Sequence, residues 1–245
     1  MKTLKLTALF VILMSLTVGV VSACRIDHRS GDQKGNVIRQ TRQVGPFSGI
    51  RVGGAFEVIL KQGATQEVIV EAESDVIDHV KTRLAGNVLE IGMDNPPHWM
   101  HDIDVLRVYV TCTDLSMLDL SGAVELRTET KITTQKLEID VSGAAETHMD
   151  LAVQSLDMSL SGASELTFTG TAGDVRMDAS GASEISAFGM VTTNFTIFGS
   201  GAVEAKVNVT GSLKANLSGA CSVRYKGTPR LEAHSSGASD VKSAD

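Results

Sequence analysis

The chain has 245 residues, a formal net charge of −7 and only 4% aromatic side chains. Its 22 Lys and Arg are scattered rather than clustered. Phosphate recognition needs a basic patch, so nucleic acid is excluded as a partner class. Sparse aromatics also disfavour a broad stacking platform for sugars or bases.

The first element is not part of the fold. Lys2 and Lys5 precede a mostly apolar run from Leu6 to Val21, followed by Val21-Ser22-Ala23-Cys24. This is the layout of a secretory signal peptide over residues 1–23. It is shorter than the roughly 20 apolar residues of a permanent membrane span. Small residues before a Cys resemble the processing box of bacterial lipoproteins. That resemblance makes Cys24 the lipidation site and the membrane a partner through the lipid. The bland alternative is cleavage after Ala23, leaving an ordinary thiol. Residues 24–43 are polar, with Gly31, Gly35 and charges of both signs, and read as a flexible tether.

The remaining body, 44–245, opens with a less regular part, 44–114. It contains "IRVGGAFEVIL", with Gly53-Gly54-Ala55 and then Glu57, and the strand-like "EVIVEAE", "NVLEIGM" and "VLRVYVT". The spacing of Val76, Ile77 and Val80 allows one short helix. This part reads as irregular capping coils of the body that follows, since terminal repeats of solenoids are atypical; a separate small β-domain is the alternative. Asn95–Asp102, "NPPHWMHD", offers His98, His101 and Asp102 as metal ligands and Trp99 as a contact residue. A pair of ligand types in a Pro-containing loop, without a partner motif, reads more simply as a long hairpin loop.

From 115 onward one phrase recurs. Ser-Gly-Ala stands at Ser121, Ser142, Ser161, Ser180, Ser200, Ser218 and Ser236, at spacings of 21, 19, 19, 20, 18 and 18 residues. A period near 19 is the mark of a solenoid. Within each unit the pattern has period two, as in Leu156, Met158, Leu160, Gly162, Ser164, Leu166 against Asp157, Ser159, Ser161, Ala163, Glu165. That is a half-buried strand and not a helix. One coil cannot bury its own apolar face, whereas stacked coils can. The expected fold class is therefore all-β, a parallel β-helix of about seven marked coils. Adjacent coils would lie about 4.8 Å apart. Gly122, Gly143, Gly162, Gly181, Gly201, Gly219 and Gly237 are expected to form a structural turn column, because a bend needs positive φ or close backbone approach. Cys221 falls in the column of Val124, Ala145, Ser164, Ser183, Val203 and Ser239 and reads as a small buried residue, with pairing to Cys112 as the alternative.

Stacking also aligns Glu125, Glu146, Glu165, Glu184 and Glu204, then Ser222, then Asp240. Two charges 4.8 Å apart repel by about 0.9 kcal/mol in water, a tolerable amount for exposed side chains. The ladder thus reads first as a solvated acidic face and second as a cation or ligand face. A second column holds Asp119, Asp140, Ser159, Asp178, Phe198, Asn216 and His234. No metal site, cofactor motif or catalytic residue set emerges, and no P-loop, dinucleotide fingerprint or Ser-His-Asp arrangement is present.

The repeated "SGASE", with "VGPFSGIRVGGAFEVIL" and "VIVEAESDVIDHVKT" before it, resembles the head GIN domain family of auto-transporter adhesins. The resemblance runs from Val44 to the C-terminus. It implies a right-handed single-stranded β-helix, similar to "toastrack" domains, on a lipoprotein of the Gram-negative cell envelope. The expected placement is the outer membrane, facing the periplasm or the surface. The expected role is non-enzymatic, adhesin-like binding of a protein or glycan. The alternatives are a polysaccharide-active β-helix enzyme and a scaffold that self-assembles as a homo-oligomer.

Overall fold

The structure, a computed structural model, describes residues 36–94 and 103–244. Cys24, His98, Trp99, His101 and the rest of the 95–102 segment lie outside the described residues. Among the described residues there are eleven β-strands in one sheet and a single 3-10 turn. The strands are β1 (Val37–Arg42), β2 (Gly49–Gln62), β3 (Glu67–Glu73), β4 (Val80–Ala85), β5 (Val88–Met93), β6 (Leu106–Cys112) and β7 (Met117–Thr128), followed by β8 (Ile132–Gly219), β9 (Ser222–Lys226), β10 (Arg230–Ser235) and β11 (Asp240–Ser243). The turn, Ile77–His79, sits where the Val76, Ile77, Val80 spacing allowed a helix, and it seats Val76 and Ile77 in the core.

The repeats lie in parallel register. β2 pairs with β7 so that Gly53-Gly54-Ala55 matches Ser121-Gly122-Ala123. β7 then pairs with the start of β8, Gly122 opposite Gly143 and Glu125 opposite Glu146. At the far end Glu204 faces Ser222, and Ser222 faces Asp240. β2 is thus the first copy of the repeat, 68 residues ahead of its partner in β7 because Gln62–Ser116 intervenes. β8 is a single 88-residue extended run. It stays extended because inward positions alternate with outward ones throughout. Leu156, Met158, Leu160, Leu166 and Phe168 are buried, while Ser159, Ser161 and Glu165 are exposed. The inward residues of all units join one apolar cluster with Phe47, Val70, Leu89 and Val110 of the N-terminal part.

The N-terminal part differs from a set of coils. β5 and β6 each lie parallel to β2, covering its two halves. β4 runs antiparallel to β5, β3 antiparallel to β6, and β1 antiparallel to β3. These strands cap the exposed edge of the first repeat, in place of winding as further repeats. The tether expected over 24–43 is corrected at its end: Val37–Arg42 is a strand. Its polar sequence reads as linker, yet it is held by the β3 ladder and by two arginines. Arg39 Nε donates to Glu71 at 2.9 Å, and Arg42 donates to the Ile77 carbonyl at 2.8 Å. Glu71 is the hub, accepting also from Tyr109 at 2.8 Å and Arg107 at 3.1 Å. These bonds, that from Arg39 first, hold its carboxyl below the ordinary value.

At the other end, β10 is exposed along its whole length. Its inward-facing partners in β8 are Leu213, Ala215 and Leu217, against Leu231, Ala233 and Ser235 in β10. Ser235 and Ser239 thus stand in columns where earlier repeats hold Leu217 and Cys221. Polar residues in the last unit temper the apolar end of the stack.

Candidate functional site

The Ser-Gly-Ala bend builds the surface. Each marked glycine has positive φ, from +75° at Gly237 to +111° at Gly143. A Cβ on Gly143 would lie 2.5 Å from the Gly122 carbonyl oxygen, and one on Gly201 would lie 2.5 Å from that of Gly181. The same relation carries Gly122 onto Gly54, Gly162 onto Gly143, Gly181 onto Gly162, Gly219 onto Gly201 and Gly237 onto Gly219. No side chain fits, because the Cβ direction at this φ points along the stack into the neighbouring backbone. The period-two pattern placed Gly162 with the inward set of Leu160 and Ser164. The structure corrects this: Ser161, Gly162 and Ala163 are all exposed, between buried Leu160 and Ser164. The positive-φ residue turns one inward position outward, so three successive residues face outward while the alternation keeps the same phase on either side. The serine fastens the bend to the preceding unit. Ser121 Oγ donates to the Val52 carbonyl at 3.3 Å, Ser161 to Val141 at 3.4 Å and Ser180 to Leu160 at 3.3 Å.

A bare glycine column flanked by outward residues leaves a groove on each side. The first, about 770 Å³, has the exposed alanines after each glycine as its floor and Glu125, Glu146, Glu165, Glu184 and Glu204 along it. Asp240 continues the column through Ser222, and Glu57 precedes it opposite Glu125. Several of the carboxylates meet a basic side chain of the same face, though among the described residues neither Glu125 nor Glu165 has an ion pair. His148 lies 3.0 Å from Glu146, and Lys206 bridges Glu184 at 2.8 Å and Glu204 at 3.3 Å. Lys242 meets Asp240 at 2.8 Å, and Arg107 meets Glu57 at 2.6 Å. The hydrogen bond to Glu184 holds the Lys206 ammonium above its ordinary value. Among the described residues no three His, Cys, Asp or Glu side chains converge on a metal-sized point. One lysine serves two rungs, Glu184 and Glu204, and the column keeps a net negative charge.

The second groove, about 670 Å³, runs on the serine side and takes in Asp140, Asp178, Phe198 and Asn216. Phe198 is exposed, with Arg176 stacked over its ring at 4.5 Å. Arg176 also pairs with Asp178 at 3.0 Å. Below both grooves the core is closed. Ser164 and Ser183 are buried and share a hydroxyl contact of 3.4 Å. Cys221 is fully buried, its thiol donating to the Ser218 carbonyl at 3.3 Å. Cys112 is a second free, buried cysteine, and burial pushes its thiol up to about 11.

A bend repeated on a fixed period, with an outward Ser, Ala and acid around it, is also what a protein-family comparison detects. The family model described as "Putative auto-transporter adhesin, head GIN domain" matches residues 46–229. The chain belongs to this family. The head GIN fold recurs in crystal structures. A "putative adhesin" from Bacteroides fragilis is 19% identical, with a TM-score of 0.80 over 85% of this chain and 97% of its own. A "putative lipid binding protein" from Parabacteroides distasonis is 18% identical, with a TM-score of 0.68 over 86% of this chain and 98% of its own. A "putative adhesin" from the same species, also 18% identical, gives a TM-score of 0.67 over the same shares. At such identities the likeness concerns the fold. No curated protein matches the chain.

Sequence reasoning overlooked two features. One is a second bend eight residues after the first: Gly170 and Gly227 also have positive φ, with the Leu151 and Val209 carbonyls against them. Only some repeats carry glycine there, so no periodic signal marks it. The other is the Glu71 hub, which joins three strands distant in sequence and carries no motif.

Proposed function

We propose that this head GIN domain is the body of a lipid-anchored envelope protein, a right-handed β-helix that binds a protein or glycan partner and carries out no chemistry. The observation that carries the reading is the pair of open grooves running along the repeats beside the glycine column. Their walls repeat one residue pattern from unit to unit, which suits an extended partner better than a small substrate held at one converging point. The name of the family and those of two of its structural neighbours, adhesins, agree with it. Cys24 carries the lipid, the polar segment after it spans the gap to the body, and the outer membrane is the anchoring surface. The acidic column is part of the binding wall and takes up a ligand by exchanging its lateral Lys and His partners.

The test has two arms. Labelled palmitate should enter the full chain in a Gram-negative host and be lost in Cys24→Ala; labelling that persists in that variant removes the anchor. Purified body should attach to intact bacterial or mammalian cells in a saturable way, and absence of saturable attachment to both removes the binding role.

A further inference from the structure

Of the two grooves, the second breaks its own repeat. The outward position three residues before each marked glycine holds Asp119, Asp140, Ser159, Asp178, Asn216 and His234, all polar, but the apolar Phe198 in one unit. Phe198 does not serve packing. Its neighbours Ile197 and Gly199 point inward and are buried, while the Phe198 ring is 36% exposed, the most exposed aromatic among the described residues. A large apolar ring set in a polar groove, with Arg176 over one face and the rest of its surface in solvent, leaves that remaining surface as a contact group.

The polar groups around it are two carboxylates, a series of serine hydroxyls and the Asn216 amide. Asp140 and Asp178 are acceptors only. Ser161 and Ser180 have spent their single protons on the Val141 and Leu160 carbonyls, so they too offer the groove lone pairs alone. The cation at hand, Arg176, is engaged by Asp178 and by the Phe198 ring. The groove thus presents two carboxylates that repel anions, hydroxyl and amide groups on the repeat spacing, and one aromatic face. A fitting ligand is rich in hydrogen-bond donors, carries polarised C–H groups for the ring's negative face and lacks anionic groups. An extended polyhydroxylated chain has these properties.

We infer that the groove around Phe198, Asp178 and Asn216 binds a glycan chain without carboxylate, sulfate or phosphate groups, with one sugar ring on Phe198 and hydroxyl or amino donors to Asp178 and the serine column. The inference rests on the reading of the body as a binding module and names its ligand class.

The folded protein is titrated by NMR and calorimetry with a neutral β-glucan hexamer, a glucosamine hexamer, an oligogalacturonate and hexalysine. The expected result is binding of the neutral or the amino oligosaccharide, with the oligogalacturonate silent. Phe198→Ala should weaken that binding about tenfold or more, which corresponds to about 1.4 kcal/mol. Asp178→Asn should weaken it as well, and Glu67→Gln, an exposed position outside both grooves, should leave it unchanged. Each variant is a surface change whose fold is checked by its unaltered amide spectrum away from the site. The inference is overturned if neither oligosaccharide binds, if oligogalacturonate binds as well as they do, if hexalysine alone binds, or if Phe198→Ala has no effect. Saturable attachment to cells alongside silent oligosaccharides would sink the glycan assignment and leave the binding role standing. Loss of both would remove both.

Discussion

Placing a methyl group in the glycine column measures directly what the column does. In Gly143→Ala the new Cβ would sit at φ +111°, 2.5 Å from the Gly122 oxygen, 2.9 Å from its nitrogen and 3.2 Å from its carbonyl carbon. Two terms add. A non-glycine residue at positive φ costs roughly 1–2 kcal/mol. Relieving the overlap requires neighbouring backbones to part by several tenths of an ångström, an overpacking strain of about 1–3 kcal/mol. The sum is about 2–5 kcal/mol, a large fraction of the roughly 5–15 kcal/mol stability of a folded domain. Gly86→Ala supplies the control, since Gly86 has φ +65° and nothing within 4 Å of its Cβ. It should show the backbone term alone, about 1 kcal/mol. Urea denaturation followed by circular dichroism gives both values at matched slope. If Gly143→Ala costs no more than Gly86→Ala, close approach of stacked units is not what the glycine serves.

Three further outcomes follow from particular contacts. Thr147 is fully buried and its Oγ1 has no hydrogen-bond partner, between Leu126 and Leu166 in the same column; Thr147→Val should therefore stabilise the protein by about 1 kcal/mol in the same denaturation assay. Glu71 has its carboxyl held below the ordinary value, so its stabilisation is complete above the unfolded-state value of about 4.3 and fades as pH falls through the lower folded value. Hydrogen exchange in β1 and β3 should accelerate between pH 5 and pH 3 beyond the intrinsic trend, and Glu71→Gln should abolish that pH dependence. Both thiols should stay silent to a disulfide reagent at pH 8 and react together only on unfolding, because Cys112 and Cys221 are buried and Cys112 is pushed up to about 11.

The sequence made the stacked part legible because its constraint is periodic. Period-two burial, a 19-residue repeat and an invariant tripeptide all point to units lying in register, and Glu125 opposite Glu146 follows from that register alone. The orientation of the bend was not legible. Simple alternation puts Gly162 inward, and only its φ of +105° reveals that this one position turns outward between Leu160 and Ser164. The N-terminal cap was legible as strands but not as antiparallel ones, since direction depends on which strand each one meets, and β1 meets β3 some thirty residues away. Val37–Arg42 reads as linker because both of its faces are largely exposed and its anchoring comes from Arg39 and Arg42. The acidic column was visible in the sequence, whereas the bridging of Glu184 and Glu204 by Lys206 needs coordinates. Phe198 was visible as one member of a column; its exposure and its stacking with Arg176 were not.

The central claim is that successive Ser-Gly-Ala units lie directly on one another. Spin labels on Glu125→Cys paired with Glu184→Cys, and on Glu125→Cys paired with Glu204→Cys, measure it most directly, with the buried native thiols unlabelled. Three and four units apart, the rungs should be separated by about 14 and 19 Å, a step of about 4.8 Å for each repeat. Distances that fail to grow by that step, or that are broad and long as between scattered surface sites, would contradict the stacked body and the grooves built on it.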